Sequence, residues 1–486
     1  MKDNEIFYGE FSTHADCDSV GKLTLAKENT NIELTVKSKN IIQEIPNIIT
    51  GKLDQLKKAT CVDCIITSSG TSNNSLGDSA NYLTIFPHHV LIGDDHLDPN
   101  ASHIKSFSFH TQDTRSLFQD NQDFGKIYPQ EKIVDFINKE YHDKIKLHEY
   151  PNVFFHSGRL DIINCETSTG CFRVYNKTTI HGLGTNGKFL TNTVRIEYIF
   201  QSPTTFNNCV SSLLSHLRLL TILAGREQSV VDFQVHVASN TSPIDKTYSV
   251  HSSYLNCHNE NANSYSLNNF PIEPSRDVST FIEIYKAWMS KESELLTSRI
   301  RYNNGIIKHN SYDVDRLVSA ANIFDILPDN YKPTKKMISE DLNAAKSECK
   351  RIFKSLPESV EKSIMLGALG RLGSPTLTDI ILHRANIILE RCGWLFPELD
   401  LVVKTAVKVR NYFVHGTASY PPYKIESTIP FLTDVLEFIF ISSDLIECGW
   451  NIDAWANNYY SLNHPFNNLR HKYKNELQNL KLAIQK

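Results

Sequence analysis

The chain offers little of what would place it outside the ordinary globular class. Its 10 cysteines are scattered over 486 residues, which is no disulfide framework, so reduced and mostly buried thiols are expected. Glycine and proline, at 20 and 18, are moderate, and neither a long disordered tract nor a repeat of fixed period is evident. The opening Met1-Lys2-Asp3-Asn4-Glu5 carries acids with no apolar run behind them, unlike a signal peptide. An uncharged membrane-length run is missing too. The best candidate, Ile429 to Ile446, is interrupted by Asp434, Glu437 and Asp444, and carboxylates in such a span argue for a packed helix of a soluble protein. A cytoplasmic location without a membrane partner is the expectation.

Nor does one sign of charge dominate. The net charge is -4, with 24 Lys+Arg against 30 Asp+Glu in residues 1–276 and 26 against 24 in residues 277–486. The second part is thus the more basic, which permits nucleic-acid binding without demanding it. Apolar residues at 41% and charged residues at 21% are enough for more than one core at this length.

Two periodicities divide the chain. Val20–Leu25 and Ile32–Val36 alternate apolar and polar residues around Asn29-Thr30-Asn31, a hairpin signature. Strand texture recurs at Thr60–Thr67, Ile104–Phe109, Cys171–Tyr175, Asn192–Phe200, Val230–Val237 and Thr247–Tyr254, interrupted by a helix over Phe206–Leu223 that Gly225 stops. Residues Asn256–Arg276, rich in Asn, Ser, His and Pro, read as a connector. Beyond them helical spacing predicts Val278–Ile300, Asp313–Leu327, Lys336–Leu356, Val360–Leu369, Leu377–Arg391, Leu399–His415, Phe431–Ile446 and a basic tail helix after Pro465. Breakers such as Pro328, Pro357, Gly393 and Pro421-Pro422 lie between them.

One of these helices carries chemistry. Leu399, Val403, Ala406, Arg410 and Phe413 follow the 4-3-4-3 spacing of a packed seam. Arg410 therefore stands where an apolar side chain belongs, and a guanidinium there needs an acid, a phosphate or a polar cleft. Asn411 and His415, four apart, share a face, with Arg410 about 100° round the helix. Gly416 is a natural stop that leaves His415 in the last turn. A histidine can take a proton from a 2′-hydroxyl or give one to a leaving oxygen. An arginine fork can hold the phosphate between them. One helix supplies one imidazole; a twofold mate would supply the second.

The run Arg410-Asn411-Tyr412-Phe413-Val414-His415-Gly416 resembles the Arg-(polar)-x-x-x-His motif of HEPN domains. These are small helical bundles, many of them dimeric, metal-independent endoribonucleases of toxin–antitoxin and phage-defence systems. More of the chain is similar to one branch, the ApeA abortive-infection proteins. Phe7-Tyr8-Gly9-Glu10-Phe11 followed by Gly21-Lys22-Leu23-Thr24-Leu25, the segment Phe206–Val237, and Asp313-Val314-Asp315-Arg316-Leu317 sit where that branch has them. The resemblance implies an α+β chain: a β-rich sensing or regulatory domain over 1–270, then an all-α HEPN-type ribonuclease bundle over 277–486. It implies phosphate stabilisation by Arg410, acid/base work by His415 and support from Asn411, in a cleft between the protomers of a homodimer. RNA is the implied partner, transfer RNA being one candidate, alongside a phage-derived trigger; no cofactor and no metal are implied. The alternative, from another class, is a non-catalytic HEPN-type binding or dimerisation module serving another enzyme.

Other motifs are expected to be structural. Gly182-Leu183-Gly184-Thr185-Asn186-Gly187 spells a dinucleotide fingerprint, but the strand-like Phe189–Phe200 follows it instead of a helix, so a hairpin turn is expected. Cys61-Val62-Asp63-Cys64 has no second CxxC and reads as strand cysteines. His88-His89 with Asp94, Asp95 and His96 reads as a solvated loop. Lys335-Lys336 and Arg470-His471-Lys472-Tyr473-Lys474 read as solvated helix faces, and Phe438, Phe440, Tyr459 and Tyr460 as core.

Overall fold

The structure, a computed structural model, describes residues 5–14, 17–26, 29–36, 44–73, 79–182, 189–238, 243–255, 270–308, 311–335, 338–416, 423–458 and 460–485. The first four residues, most of the glycine-rich motif, residues 256–269 of the connector, Lys336, Pro421-Pro422 and Tyr459 lie outside the described residues. The chain divides into two compact units. One comprises 1–220, 228–267 and 273–282; the other comprises 221–227, 268–272 and 283–486.

The first unit is built on strands. β1 (Glu5–His14), β2 (Cys17–Leu25), β3 (Asn31–Val36), β4 (Ile48–Leu53), β5 (Lys58–Asn73) and β6 (Ser79–Gly93) run in the order β6-β3-β2-β1-β4-β5. β5 pairs back onto β6, which closes these strands into a ring with no free edge among them. The expected first hairpin is there, with Leu23 opposite Ile32. Alternate residues point inward, so Phe11, Leu23, Ile32, Leu34, Ile49, Cys61 and Ile85 fill the ring. Gly51 is required by that filling, because a Cβ there would lie 2.6 Å from the Phe11 ring.

The sheet continues from β6 through β14 (Lys246–Ser252), β13 (Val230–Val237), β7 (Ile104–Thr111), β12 (Phe189–Thr204), β11 (Gly170–His181) and β10 (Asp161–Glu166). A separate ribbon pairs β8 (Phe124–Ile127) with β9 (Val153–His156). The short helices of this unit are α1 (Thr114–Phe118) and α2 (Glu131–Glu140). The expected long helix is α3 (Phe206–Ala224), with Leu213, Leu217 and Leu220 buried and the His216 ring stacked on Phe172 at 5.7 Å. Gly225 follows at φ 69°, as a helix stop requires. β11 and β12 pair His181 with Phe189 across the glycine-rich motif, so strands flank it on both sides.

Helices make up the second unit. Among the described residues they are α4 (Val278–Ser290, of which 278–282 belong to the first unit), α5 (Glu292–Ile307), α6 (Val314–Asp325), α7 (Glu340–Ser355), α8 (Val360–Arg371), α9 (Leu377–Cys392), α10 (Leu399–His415), α11 (Ile429–Glu447), α12 (Ile452–Asn457) and α13 (Pro465–Ile484). The single helix expected over Val278–Ile300 is two, divided at Lys291. The division leaves the Trp288 carbonyl to accept from Arg299 Nη1 at 2.9 Å, a bond that an uninterrupted helix would have used internally.

α11 is the hub, and it explains the carboxylates in its apolar run. Asp434 accepts from Tyr312 and Lys472, both at 2.6 Å. Glu437 takes the Arg316 fork at 2.9 and 2.8 Å. Asp444 takes that of Arg299 at 3.0 and 3.2 Å, and Glu447 that of Arg384 at 2.6 and 3.0 Å. Burial pushes the Glu437 carboxyl upward and the Arg316 fork pulls it back. Gly305 of α5 makes room for it, since a Cβ there would lie 2.5 Å from Glu437 Oε1. Among the described residues no helix is long and apolar enough to cross a membrane.

Candidate functional site

α10 is rich in valine, a residue with no strong helical preference, and it is held as a helix by what it buries: Leu399, Val402, Val403, Ala406 and Val409. Lys404 reaches back one turn to Asp400 at 3.0 Å on its outer face. The helix ends as expected, with Gly416 at φ 62° donating to the Tyr412 carbonyl at 2.9 Å. In the last turns the seam opens. Arg410, Asn411 and Phe413 are half-buried and His415 is exposed.

The structure brings Arg410, Asn411 and His415 together. Arg410 Nη1 donates to Asn411 Oδ1 at 3.0 Å and lies 3.4 Å from His415 Nε2. Because the Asn411 carbonyl oxygen is engaged, its amide nitrogen is the group left to offer. The other edge of the guanidinium is held by α6, an element that nothing in the sequence connects to the motif. Asn322 Oδ1 accepts from Arg410 Nε at 3.2 Å and from Nη2 at 2.6 Å, and Asp325 Oδ2 accepts from Nη2 at 3.1 Å. Asn322 and Asp325 lie 88 and 85 residues before Arg410, a separation at which no local pattern signals a contact. The one available sign was the rule that a seam arginine needs an acid.

This arginine is placed differently from the structural ones. Arg299, Arg316 and Arg384 have side chains only 0%, 4% and 3% exposed, each with a carboxylate bound through two nitrogens. Arg410 is 12% exposed and meets its acid through one nitrogen, and that acid, Asp325, is itself 43% exposed. A cation, an amide and an imidazole thus meet at a rim that solvent and an anion can reach. Such a set can hold a phosphate and move a proton beside it.

The other candidates are dispersed. Cys61 and Cys64 are buried in β5, where burial pushes both thiols up, Cys64 to about 12. His88 and His89 are not in a loop but on β6. His89 is buried between Phe206 and Tyr254, bonds Ser252 at 2.6 Å, and burial lowers its imidazole to about 4. Two adjacent histidines look polar as letters, yet on a strand one of them faces inward. Asp94 and Asp95 pair with Lys57 and with Lys58 and Lys246, while His96 faces the Ala59 carbonyl. The basic tail is no uniform solvated face either. Arg470 lies over Tyr460 at 4.2 Å and donates to the Trp455 carbonyl, Lys472 pairs with Asp434, and Tyr473 is buried. Lys335 is exposed, and Phe438 and Phe440 are core as expected. Among the described residues no group of three or more His, Cys, Asp or Glu could hold a metal.

A family model described as ApeA N-terminal domain 1 matches residues 7–288, and one described as Apea-like HEPN matches residues 318–454, a span that contains Asn322, Asp325, Arg410, Asn411 and His415. No curated protein and no solved structure matches the chain.

Proposed function

We propose, on the premise that this chain belongs to the ApeA family of antiphage defence proteins, that it is a metal-independent endoribonuclease that cleaves cellular or phage RNA and arrests infected cells. The observation that carries this reading is the convergence of Arg410, Asn411 and His415 at the solvent-reached end of α10. Residues 277–486 act as the ribonuclease and residues 1–270 as a sensing or regulatory domain.

In this reading Arg410 grips a non-bridging oxygen of the scissile phosphate and offsets the charge that builds on it. His415 accepts the 2′-hydroxyl proton, the 2′-oxygen attacks phosphorus, and the 5′-oxygen leaves. A second imidazole from a twofold mate protonates the leaving oxygen, so the products are a 2′,3′-cyclic phosphate and a 5′-hydroxyl. Asn411, fixed by its bond to Arg410, orients the attacking group. Cleavage by the purified protein is therefore expected to persist in EDTA and to leave a cyclic phosphate or its opened product. Loss of all cleavage on chelation, or a 5′-phosphate product, contradicts the mechanism.

Asp325 competes with the phosphate for Arg410 Nη2. Because the pair is partly exposed, its removal has a modest effect: Asp325→Asn is expected to lower KM for an oligoribonucleotide about two- to five-fold. Steady-state kinetics check this, and a KM that stays level or rises rules the competition out. A second reading, a non-catalytic HEPN-type module partnering another enzyme, draws support from how fully Arg410 is already hydrogen-bonded; purified protein inert toward RNA favours it.

A further inference from the structure

A cavity of about 210 Å³ opens in the second unit, and every residue that lines it belongs to that unit. It has room for about seven waters, the space of one small heterocycle. Its walls are apolar at Ile306, Phe438, Phe466 and Leu469, and Asn463 and Asn468 stand exposed at its rim. Tyr312, just before α6, and Arg316, in the first turn of α6, form one side. The Arg410 site is held by the other end of that helix, about 14 Å along the axis from Arg316 to Asp325. The two sites are separate.

The charges around the cavity are already answered. Glu437 holds the Arg316 fork, and Asp434 takes Tyr312 on one oxygen and Lys472 on the other. Neither a phosphate nor an ammonium would find an unpaired counter-charge here, which selects a neutral occupant. What stays unanswered is a hydroxyl. Tyr302 lines the cavity and is only 2% exposed, yet among the described residues its hydroxyl has no hydrogen-bond partner. Other buried tyrosines are bonded: Tyr198 to Thr169, Tyr331 to Glu294 and Tyr473 to the Pro397 carbonyl. A phenylalanine would fill the same space without stranding a polar group. Burial and the neighbouring Glu437 push the Tyr302 hydroxyl up, so it stays protonated and is a donor.

A free donor at Tyr302 calls for an acceptor on the occupant. The Asp434 carboxylate, on the same cavity, keeps a spare lone pair on each oxygen, which calls for a donor. A neutral planar ring that presents C=O beside N–H meets both demands, and apolar walls suit its faces. The edge of a nucleobase is such a group.

We propose that this cavity binds an uncharged nucleobase by its lactam edge, the carbonyl accepting from Tyr302 and the N–H donating to Asp434, with the sugar at the open rim. The inference goes beyond the ribonuclease reading and does not rest on it.

The test is isothermal titration calorimetry of the full-length protein with uridine, 3-methyluridine and 2′-O-methyl tetrauridylate, a strand that cannot be cut through its 2′-oxygens. Uridine is expected to bind saturably with a Kd below about 1 mM. 3-Methyluridine keeps both carbonyls but loses the N–H, and should bind at least about tenfold more weakly. Tyr302→Phe should weaken uridine about five- to tenfold while its melting temperature stays level or rises, because the lost hydroxyl has no internal partner. Uridine that does not bind, 3-methyluridine that binds equally well, or a Tyr302→Phe protein with wild-type affinity overturns the proposal. The strand separates two sources of the base. Tetrauridylate that displaces uridine assigns the cavity to a base of an RNA strand, and tetrauridylate that does not assigns it to the free nucleoside. Uridine binding by a protein that leaves RNA intact sinks the nuclease reading alone, and a nuclease blind to uridine sinks this inference alone.

Discussion

Replacing His415 by alanine is expected to lower RNA cleavage by about a hundred- to ten-thousand-fold, the usual yield of a positioned acid or base. His415 stands in the last turn of α10, exposed, with its Nε2 facing Arg410. No buried partner depends on the ring, so the variant keeps its fold and the loss reads as chemistry. Cells carrying it should lose protection in a phage challenge while making the protein at the normal level. If His415→Ala protects as the wild type does, or cleaves within about threefold of it, the imidazole is not the acid/base group.

Arg299→Ala should be the most destabilising single change, at about 3–5 kcal/mol. Arg299 is fully buried, sits over the Trp288 ring with Cζ 3.4 Å from its centroid, and joins Asp444 to Glu292. Truncation strands the Asp444 carboxylate in a place water does not reach, and the cost is that of an unpaired buried charge more than of the lost attraction. Arg299→Met with Asp444→Leu and Glu292→Gln removes all three charges and should cost much less than the single change. All four tryptophans, Trp288, Trp394, Trp450 and Trp455, lie in the helical unit. Denaturant unfolding followed by their fluorescence therefore reports that unit directly. A loss under about 1 kcal/mol would show that the buried pair is screened by water.

The helical spacing from Leu399 to His415, the stop at Gly416 and the grouping of Arg410, Asn411 and His415 were legible because they are local. They depend on residues within one helix and on the 3.6-residue turn. Asn322 and Asp325 were not, since they reach Arg410 only through the packing of α6 on α10. The hairpin of β2 and β3 was readable from alternation, but ring closure was not. It rests on the long β5–β6 pairing, whose register shifts between Ile66 and Ser68, and such a shift breaks the period on which a strand reading relies. The division at Lys291 escaped notice because both flanking segments are apolar at helical spacing. Where they part, the Trp288 carbonyl accepts from the Lys291 backbone and from Arg299, eleven residues on.

The hub helix α11 has a consequence in time. Arg299 precedes Asp444 by 145 residues, Arg316 precedes Glu437 by 121 and Arg384 precedes Glu447 by 63. At a ribosomal pace of roughly 5–20 residues per second, the first of these cations waits about 7–30 s for that carboxylate. Meanwhile α10 has been synthesised with α6 and α9 to pack on but without α11. A growing polypeptide thus carries every letter of the Arg410–His415 motif, and the Asn322 and Asp325 that hold Arg410, before α11 arrives to complete the packing of α10.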